Sequence, residues 1–429
     1  MTGKAAQPQP AKSAGGLRAY YALGALVIGL VVGSMADGFG ANAQAALLAT
    51  ASFIGTLWLN ALKMTVIPLV VALLVVGIAK SAEAAHAGRV AARSVLWIVI
   101  ICTVSAMFGA LATILITDAF PLSRETASGL QTALASIETK APASLPGIAE
   151  FFKGVIPDNV VAAASNGDIL PLTVFSVLFA LSLGFISETG RRALVTLFEA
   201  IADALLVIIE WVLWVAPLGV FALALVVGSA AGGAAFAGFG HYIAVISVIG
   251  ILVTLAAYPL AMMAGRIPLG KFTRAMIAPQ AVAISTRSSL ASLPAMLTSV
   301  RSMGVRDQVA DVTLPISVAL FRATGPAMNT AVAFYVAHWL GLYPSPAQMI
   351  AATAVGAVMS YGAVSLPGEV SYISSIAPIA IALGVPIAPL ALLVAVEMVP
   401  DIFRTLGNVT FDVAVTTVVD HSLEDAPRT

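Results

Sequence analysis

Apolar residues dominate long stretches of the chain, and their pattern predicts a bundle of membrane-spanning helices. The runs before residue 266 cover about 17–36, 44–80, 94–120, 168–187, 193–228 and 235–265. A helix needs about 20 predominantly apolar residues to cross the hydrocarbon core of a bilayer. Several runs exceed that length, which predicts helices that tilt or extend beyond the bilayer. With two later runs, 308–341 and 386–419, the pattern predicts eight transmembrane helices.

Less apolar segments flank or interrupt these runs. Residues 1–16 and 421–429 are short and polar, and we expect both to be cytoplasmic tails, the first of them disordered. Residues 121–167 carry several charged side chains and form a segment too long for a tight turn. This segment predicts an extended loop or a broken helix that lies on the membrane surface.

Two apolar segments have centres that break a helix, and both predict re-entrant helical hairpins. The first, 270–300, has hydroxyl side chains, Arg287 and Pro294 at its centre, and the second, 347–385, has Pro367 followed by a glycine. Non-helical backbone at membrane depth is tolerated only where protein or water satisfies its polar groups. Two hairpins, each followed by a helix, match the inverted-repeat plan of secondary transporters, in which the binding site lies near the midplane.

A polar stripe runs along the last apolar segment. Its members are spaced by four, three, four and four residues, so on a helix they share one face. They are Glu397, Asp401, Arg404, Asn408 and Asp412. Ionisable residues at that depth are costly, and they persist mainly where they face a binding cavity, an ion path or each other. The stripe and the hairpins together predict a polar site inside the membrane.

Composition supports a membrane protein and excludes other classes. The 429-residue chain is 60% hydrophobic and 10% charged, whereas soluble domains are about 25% charged. Its mean hydropathy is +1.00. The single cysteine, Cys102, cannot form an internal disulfide, and no Cys/His cluster indicates a metal site. The formal net charge is zero, and no basic surface indicates a nucleic-acid partner.

The distribution of Lys and Arg predicts which side of the membrane each loop faces. With the N-terminus inside, 14 basic residues fall on the cytoplasmic side and three, Arg124, Lys140 and Lys153, fall outside. Four others lie within apolar segments. Because cytoplasmic loops are enriched in Lys and Arg, we expect a multi-pass protein of the inner (plasma) membrane with both termini in the cytoplasm.

Three motifs resemble those of the dicarboxylate/amino acid:cation symporters, the family that includes the glutamate and aspartate transporters. Thr286–Pro294 resembles the serine-rich tip of the family's first hairpin, and Leu366-Pro367-Gly368 resembles the tip of its second. The most specific match is a pattern that resembles the substrate and cation motif of the last helix. It consists of Asp401, Arg404, Thr405, Asn408 and Asp412. The resemblance covers nearly the whole chain after residue 17.

The resemblance implies an all-α elevator fold. The protein would be a homotrimer. Each subunit would contain a fixed scaffold and a transport domain that carries the substrate across the membrane. The scaffold would comprise 17–86 and 121–228, and the transport domain 87–120 and 229–420. The second hairpin would act as the outer gate.

The resemblance also implies roles for particular residues. Asp401 would hold the amino group of the substrate and Arg404 its side-chain carboxylate. Asn408, with Thr405 assisting, would hold the α-carboxylate, and Asp412 together with Asn408 would face a sodium site. The remaining substrate contacts would come from the hairpin tips. They are Arg287, Ser288, Ser289 and Gly368.

The chemistry of the stripe suits an acidic amino acid independently of the resemblance. Such a substrate has two carboxylates and one ammonium group, so it needs a cationic fork donor and an anionic acceptor. Arg404 is planar, permanently charged and suited to bidentate carboxylate recognition. Asp401 lies one turn away, and the two can pair when the site is empty, which limits the cost of burying them.

One strong motif of the family is missing. An ungapped alignment places Phe321–Gly325 where the family has Asn-Met-Asp-Gly-Thr, so the asparagine and aspartate that the resemblance assigns to sodium sites become Phe321 and Ala323. An alternative register aligns Pro326–Thr330 and also lacks the aspartate. Hydroxyl residues of the family's third segment are replaced as well. The residues found there are Ile98, Ile101 and Cys102.

The missing carboxylate coincides with a new cation, Arg322. We hypothesise that its guanidinium takes the charge position of a bound sodium ion and faces Asp412 or Asp401, with Thr324 in the same coupling site. A purely structural ion pair, or a position at the aqueous edge, is the alternative. Such a fixed cation would reduce or alter the dependence on sodium.

Two further carboxylates have open roles. Glu369 lies at the tip of the expected gate, where the family usually has small residues. It could form a salt bridge with Arg322, carry a proton, contact a substrate amine or guanidinium, or be a solvated loop residue. Glu397 belongs to the stripe, and either the site or packing contacts could account for it.

The sequence therefore predicts a secondary active symporter for acidic amino acids such as aspartate or glutamate. Sodium or a proton would be the coupling ion, and no other cofactor is expected. The expected partners are membrane lipid and the small-molecule substrate. A transporter of C4-dicarboxylates or another amino acid, and a channel, are alternatives. A hydrolase built on the serines near Arg287 is not expected, because the histidines fall at segment ends, away from those serines.

Overall fold

The structure is a computed structural model that describes residues 14–86, 88–123, 126–128, 132, 155–362 and 368–424. Predictions about residues 1–13, most of the 121–167 segment and Pro367 lie outside the described residues. The described residues form helices joined by short turns and contain no strand. This confirms the all-α class.

The first group of helices covers the chain up to Met263. It comprises α1 (Ala14–Ser34), α2 (Ala41–His86), α3 (Arg89–Ala119), α4 (Val160–Asn166), α5 (Ile169–Ser182), α6 (Glu188–Trp214), α7 (Ala216–Ala231) and α8 (Ala234–Met263). The second group carries the polar stripe. It comprises α9 (Leu269–Thr286), α10 (Ser289–Met303), α11 (Asp307–Leu320), α12 (Thr324–Trp339), α13 (Pro346–Met359), α14 (Gly368–Leu383), α15 (Ala388–Leu393) and α16 (Met398–Glu424).

Several helices are long and apolar enough to cross a membrane. Within the described residues these are α2, α3, α8 and α16, and the bent pair α6–α7 is a fifth if it forms one span. The 46 residues of α2 extend about 70 Å, well beyond the roughly 30 Å of a hydrocarbon core. The full count of eight spans stays a prediction.

The apolar run 193–228 is not one straight helix. It is interrupted at Val215, where α6 and α7 meet at 58°. Pro217 stands in the first turn of α7, where a proline lacks only an N–H that would be unpaired anyway. Apolar content alone does not reveal this bend.

The helices expected at 308–341 and 386–419 are also broken. Residues 321–323 separate α11 from α12, and residues 394–397 separate α15 from α16. Each break contains one charged side chain, Arg322 in the first and Glu397 in the second. At each of these two breaks, a charged side chain and non-helical backbone therefore occur together.

Two helix pairs occupy the segments expected to be hairpins. In the first, α9 packs against α10, and the chain turns at Arg287, which has a left-handed backbone with φ of +51°. Ser288 then caps α10, since its hydroxyl accepts the Ala291 N–H at 3.2 Å. In the second, α13 packs against α14.

The helix that carries the stripe is the centre of the second group. α16 packs against α3, α8 and each helix from α9 to α12. Gly407 allows this close approach, because a methyl group there would overlap Thr324 of α12 and Thr254 of α8. Most of the stripe is consequently enclosed by protein.

A second packing centre joins α1 to α7. Gly29 and Gly33 of α1 lie against the backbone of α7, and Gly228 of α7 lies against the backbone of Leu30. Small residues allow such close contacts between helices in a membrane. α2 packs against α5, α6 and α7 in the same part of the structure.

We predict that Gly33→Ala destabilises the protein. Its methyl group would overlap the backbone of Leu225 and Ser229, and such overpacking costs about 1–3 kcal/mol. Thermal melting of the purified protein in detergent measures the loss. Gly24→Ala is the matched control, because nothing lies within 4 Å of an added methyl group there. Equal melting temperatures for the two variants would contradict the close α1–α7 contact.

Candidate functional site

Arg404 is the centre of the buried polar site. Its Nη1 donates to Asn329 Oδ1 of α12, and its Nη2 donates to Glu397 Oε1. Its Nε lies 3.7 Å from Asp401 Oδ1. The side chain is 14% exposed, so these partners offset most of the cost of removing the guanidinium from water.

Asp401 lies between two guanidinium groups. Its Oδ1 faces Arg404, and its Oδ2 is 3.8 Å from Nη1 of Arg287 at the turn of the first hairpin. Both distances exceed those of a hydrogen bond. The residue is 8% exposed, so a buried carboxylate is held by charge on both sides while its oxygens keep room for a further donor.

The serines expected at the first hairpin tip serve mainly to end and begin helices. The Ser288 hydroxyl caps α10, and Ser289 is the first residue of that helix. The buried Ser292 donates to the carbonyl of Ser288 at 3.0 Å. Hydroxyl groups often satisfy bare backbone in this way.

Asn408 and Thr324 join the stripe to the start of α12. Asn408 Oδ1 accepts the backbone N–H of Thr324 at 3.0 Å, and the Thr324 hydroxyl lies 2.5 Å from both Asn408 Oδ1 and the Arg404 carbonyl oxygen. Both residues are buried. Thr405, also buried, donates its hydroxyl to the Asp401 carbonyl at 3.0 Å within α16. Asn408 therefore supplies an N-terminal partner that α12 would otherwise lack.

Asp412 differs from the other carboxylates of the stripe. It is fully buried, and among the described residues neither of its oxygens has a hydrogen-bond partner. A buried carboxylate needs a proton, a bound cation or a cationic side chain nearby. The two Asp412 oxygens therefore suit a coupling cation, and they equally suit the cationic side chain described next.

Arg322 lies in the break between α11 and α12. Its electrostatic neighbours are the carboxylates of Asp412 and Asp401 and the guanidinium of Arg404. Next to Arg322, Ser105 of α3 donates to the carbonyl of Ala323, which fixes the break against α3. The replacement of sodium by Arg322 stays a prediction.

The residues that replace family hydroxyls on α3 belong to the core. Ile98, Ile101 and Cys102 are all buried. Cys102 lies close to the Arg322 backbone and to Ser360. The thiol of Cys102 is thus the part of this segment that lies beside the break.

The tip of the second hairpin is described only in part. Residues 363–367 lie outside the described residues, and α14 begins at Gly368. The roles of Gly368 and Glu369 stay predictions.

The structure assigns Glu397 to the site, where the sequence left its role open. It is 2% exposed and forms an ion pair with Arg404. Tyr242 of α8 donates to its Oε2 at 2.9 Å. The spacing of the stripe had already placed Glu397 on the correct face, but nothing in the sequence connects it to a tyrosine 155 residues away.

A helical bundle that contains membrane-length apolar helices and a buried cluster of charged groups is the architecture of a membrane transporter. The chain belongs to the sodium:dicarboxylate symporter family, whose model matches residues 19–422. It is accordingly a transporter and not an enzyme. The family is the one that the hairpin and stripe motifs resemble.

Characterised relatives align over most of their length. A proton/sodium-glutamate symport protein of Bacillus subtilis (strain 168) is 29% identical over 392 residues, 90% of this chain and 88% of the relative. A proton/glutamate-aspartate symporter of Escherichia coli (strain K12) is 26% identical over 397 residues, 91% of this chain and 89% of the relative. A C4-dicarboxylate transport protein of Anaeromyxobacter sp. (strain K) is 28% identical over 392 residues, 90% and 84%.

We predict that Asn408→Ala lowers both thermal stability and substrate affinity. The change leaves the Thr324 N–H without its acceptor inside the bundle, while the Thr324 hydroxyl keeps the Arg404 carbonyl, and one unsatisfied buried group costs about 1–3 kcal/mol. Thermal melting and ligand binding measure the two effects. Thr416→Val is the control, because that hydroxyl donates to the Asp412 carbonyl of its own helix. An Asn408→Ala protein with an unchanged melting temperature and unchanged ligand affinity would contradict the contact between Asn408 and the start of α12.

Proposed function

We propose that the protein is a cation-coupled symporter for acidic amino acids such as aspartate and glutamate. The observation that carries the proposal is the buried Asp401–Arg404 pair, in which an anionic acceptor and a carboxylate-binding fork lie one helical turn apart. Asp401 would accept the substrate's ammonium group, and Arg404 would hold its side-chain carboxylate. Asn408 and Thr405 would complete the site at the α-carboxylate.

A C4-dicarboxylate is the second candidate substrate, because relatives of both kinds match the chain. Asp401 argues against it. A dianion has no positive group to offer this carboxylate, and like charges at short range in a buried site repel strongly. Arg287 and Arg404 screen Asp401, but a dicarboxylate would compete with Asp401 for the same two guanidinium groups.

The charge balance of the site supports coupling to a cation. Among the described residues, Arg287, Arg322 and Arg404 interact with the carboxylates of Glu397, Asp401 and Asp412. With all six groups ionised, their charges sum to zero. An acidic amino acid brings one negative charge, so one sodium ion or proton entering with it keeps the buried site neutral. Net charge inside a membrane is costly.

Arg322 would reduce the number of cations required. Its guanidinium is an electrostatic neighbour of Asp412, the carboxylate whose oxygens have no hydrogen bond among the described residues. A fixed positive charge would do there what a bound sodium ion does in a symporter that retains the carboxylate missing at Ala323. Residual coupling would then use a proton or a single sodium ion.

Movement and assembly would follow the elevator plan. The helices that pack around α16 would form the transport domain, and the set formed by α1, α2 and α4–α7 would form the scaffold of a homotrimer. The separate packing centres around α16 and between α1 and α7 support this division. The excess of basic residues on one side supports an inner-membrane protein with both termini in the cytoplasm.

Uptake by proteoliposomes tests the proposal. We expect L-aspartate or L-glutamate to be accumulated, and unlabelled aspartate to compete more strongly than succinate. Asp401→Asn should lower amino acid uptake by roughly 10- to 100-fold, the factor for losing a charged hydrogen bond. Asp311→Asn is the control, because that carboxylate is 55% exposed and pairs with Arg301. Stronger competition by succinate, with no loss in Asp401→Asn, would favour the dicarboxylate.

Replacement of sodium by choline tests the role of Arg322. We expect wild-type uptake to persist in choline under a proton gradient, because the guanidinium supplies the charge that sodium would bring. Arg322→Gln should remove most of this sodium-independent uptake. Arg192→Gln, at a surface ion pair 76% exposed, should leave it unchanged. Strict sodium dependence of the wild type, with a steep cation stoichiometry, would contradict the proposal that Arg322 replaces a bound sodium ion.

A further inference from the structure

A chain of buried polar side chains connects Arg404 to the second hairpin. The Tyr372 hydroxyl of α14 lies 2.9 Å from the Tyr242 hydroxyl of α8. The Tyr242 hydroxyl in turn lies 2.9 Å from Glu397 Oε2, and Glu397 Oε1 accepts from Arg404. Both tyrosines and Glu397 are at most 2% exposed. Polar groups buried so completely require partners, and these groups serve one another.

The hydrogen bonds of the chain have a fixed direction. An ionised carboxylate only accepts, so Tyr242 must donate its one hydroxyl hydrogen to Glu397. It therefore has none left for Tyr372 and must accept from that hydroxyl. The sequence of donors runs from Tyr372 to Tyr242 to Glu397, and each member depends on the next.

The far end of the chain fixes the plane of the Arg404 guanidinium. Glu397 takes an N–H of Nη2, and Asn329 takes an N–H of Nη1. A guanidinium has five N–H donors in a rigid fork. Two are committed to these partners, and the others remain for a ligand in an orientation that Glu397 and Asn329 determine.

We infer that Glu397, Tyr242 and Tyr372 are positioning residues, which hold Arg404 ready for a substrate carboxylate and tie the arm of the second hairpin to that site. The assignment of the ligand rests on the proposed function. The tie itself rests on the hydrogen bonds alone. Through it, the hairpin and the carboxylate-binding group share one buried network.

The network also explains how ligand binding can change the strength of the hydrogen bond to Tyr372 of the second hairpin. A substrate carboxylate at Arg404 takes part of the positive charge that Glu397 shares with Asp401 in the empty site. The oxygens of Glu397 then accept more strongly from Tyr242, and Tyr242 accepts more strongly from Tyr372, because hydrogen bonds in a chain polarise one another. Ligand binding would therefore strengthen the hold on α14.

A double-mutant cycle in ligand affinity tests the inference. Tyr242→Phe and Tyr372→Phe each cut the chain without changing charge, and each should weaken binding of L-aspartate and L-glutamate by roughly three- to tenfold, the factor for one hydrogen bond. The double variant should bind no worse than Tyr242→Phe alone, because the Tyr372 hydroxyl has already lost its acceptor. A merely structural pair would lower the melting temperature without changing affinity.

The control is Tyr258→Phe, which removes a hydroxyl from the same helix. That hydroxyl accepts from Gln280 Nε2 at 3.1 Å, away from Arg404, and its loss should change affinity less than twofold. Single variants with wild-type affinity, or losses that multiply in the double variant, would overturn the inference.

Hydrogen–deuterium exchange separates this inference from the proposed function. In ligand-free protein, the amides of 372–383 in α14 should exchange faster in Tyr242→Phe and Tyr372→Phe than in the wild type or Tyr258→Phe. If the wild type bound neither amino acid and this difference appeared, the tie would stand and the substrate assignment would fail. Unchanged exchange in both tyrosine variants would overturn the tie whatever the protein transports.

Discussion

The cost of burying the Arg404 guanidinium is the constraint on which the site depends. A charge inside an apolar bundle is tolerated only when other groups of the protein face it. Asn329 comes from α12, Glu397 from the break before α16, and Asp401 from the first turn of α16 itself. These elements can supply their partners only if they meet at one point, so satisfying Arg404 also fixes how the surrounding helices are arranged.

The broken helices make this convergence possible. A continuous helix satisfies its own backbone and needs no polar neighbour, whereas a break exposes N–H and C=O groups that other elements must meet. The break at 321–323 is met by Ser105 at the Ala323 carbonyl and by Asn408 at the Thr324 N–H. It also contains Arg322, as the break before α16 contains Glu397. At each break the surrounding protein must therefore satisfy both a charge and irregular backbone.

Local patterns in the sequence predicted the components, and long-range contacts decided their partners. The spacing of the stripe was sufficient to predict that Asp401, Arg404, Asn408 and Asp412 share one face of α16, because helical periodicity is a local property, whereas Glu397 lies in the break just before that helix. The break within 386–419 was missed, since its flanks are as apolar as a continuous span, and the break within 308–341 was implied only by the resemblance, whose missing motif belongs to a broken helix between the hairpins. The Glu397–Tyr242 bond joins residues 155 positions apart, and no periodicity within one helix contains that information.

The surroundings of Asp412 show how two neighbouring differences from a family motif can redirect the chemistry of such a site. Its oxygens have no hydrogen bond among the described residues, so its negative charge must be met by something that arrives or by a charge that is already present. Arg322 brings one such charge from an adjacent break, and the ungapped alignment predicts that Ala323 takes the place of the carboxylate in the family motif. The loss of an anion and the gain of a cation together shift the local balance by two charges. Under the proposed function, that shift removes the requirement for bound cations at this end of the stripe. The Asp401–Arg404 pair lies two to three turns earlier on α16 and also has Arg322 among its electrostatic neighbours, so we expect a change at this end of the stripe to act on substrate recognition as well as on cation coupling.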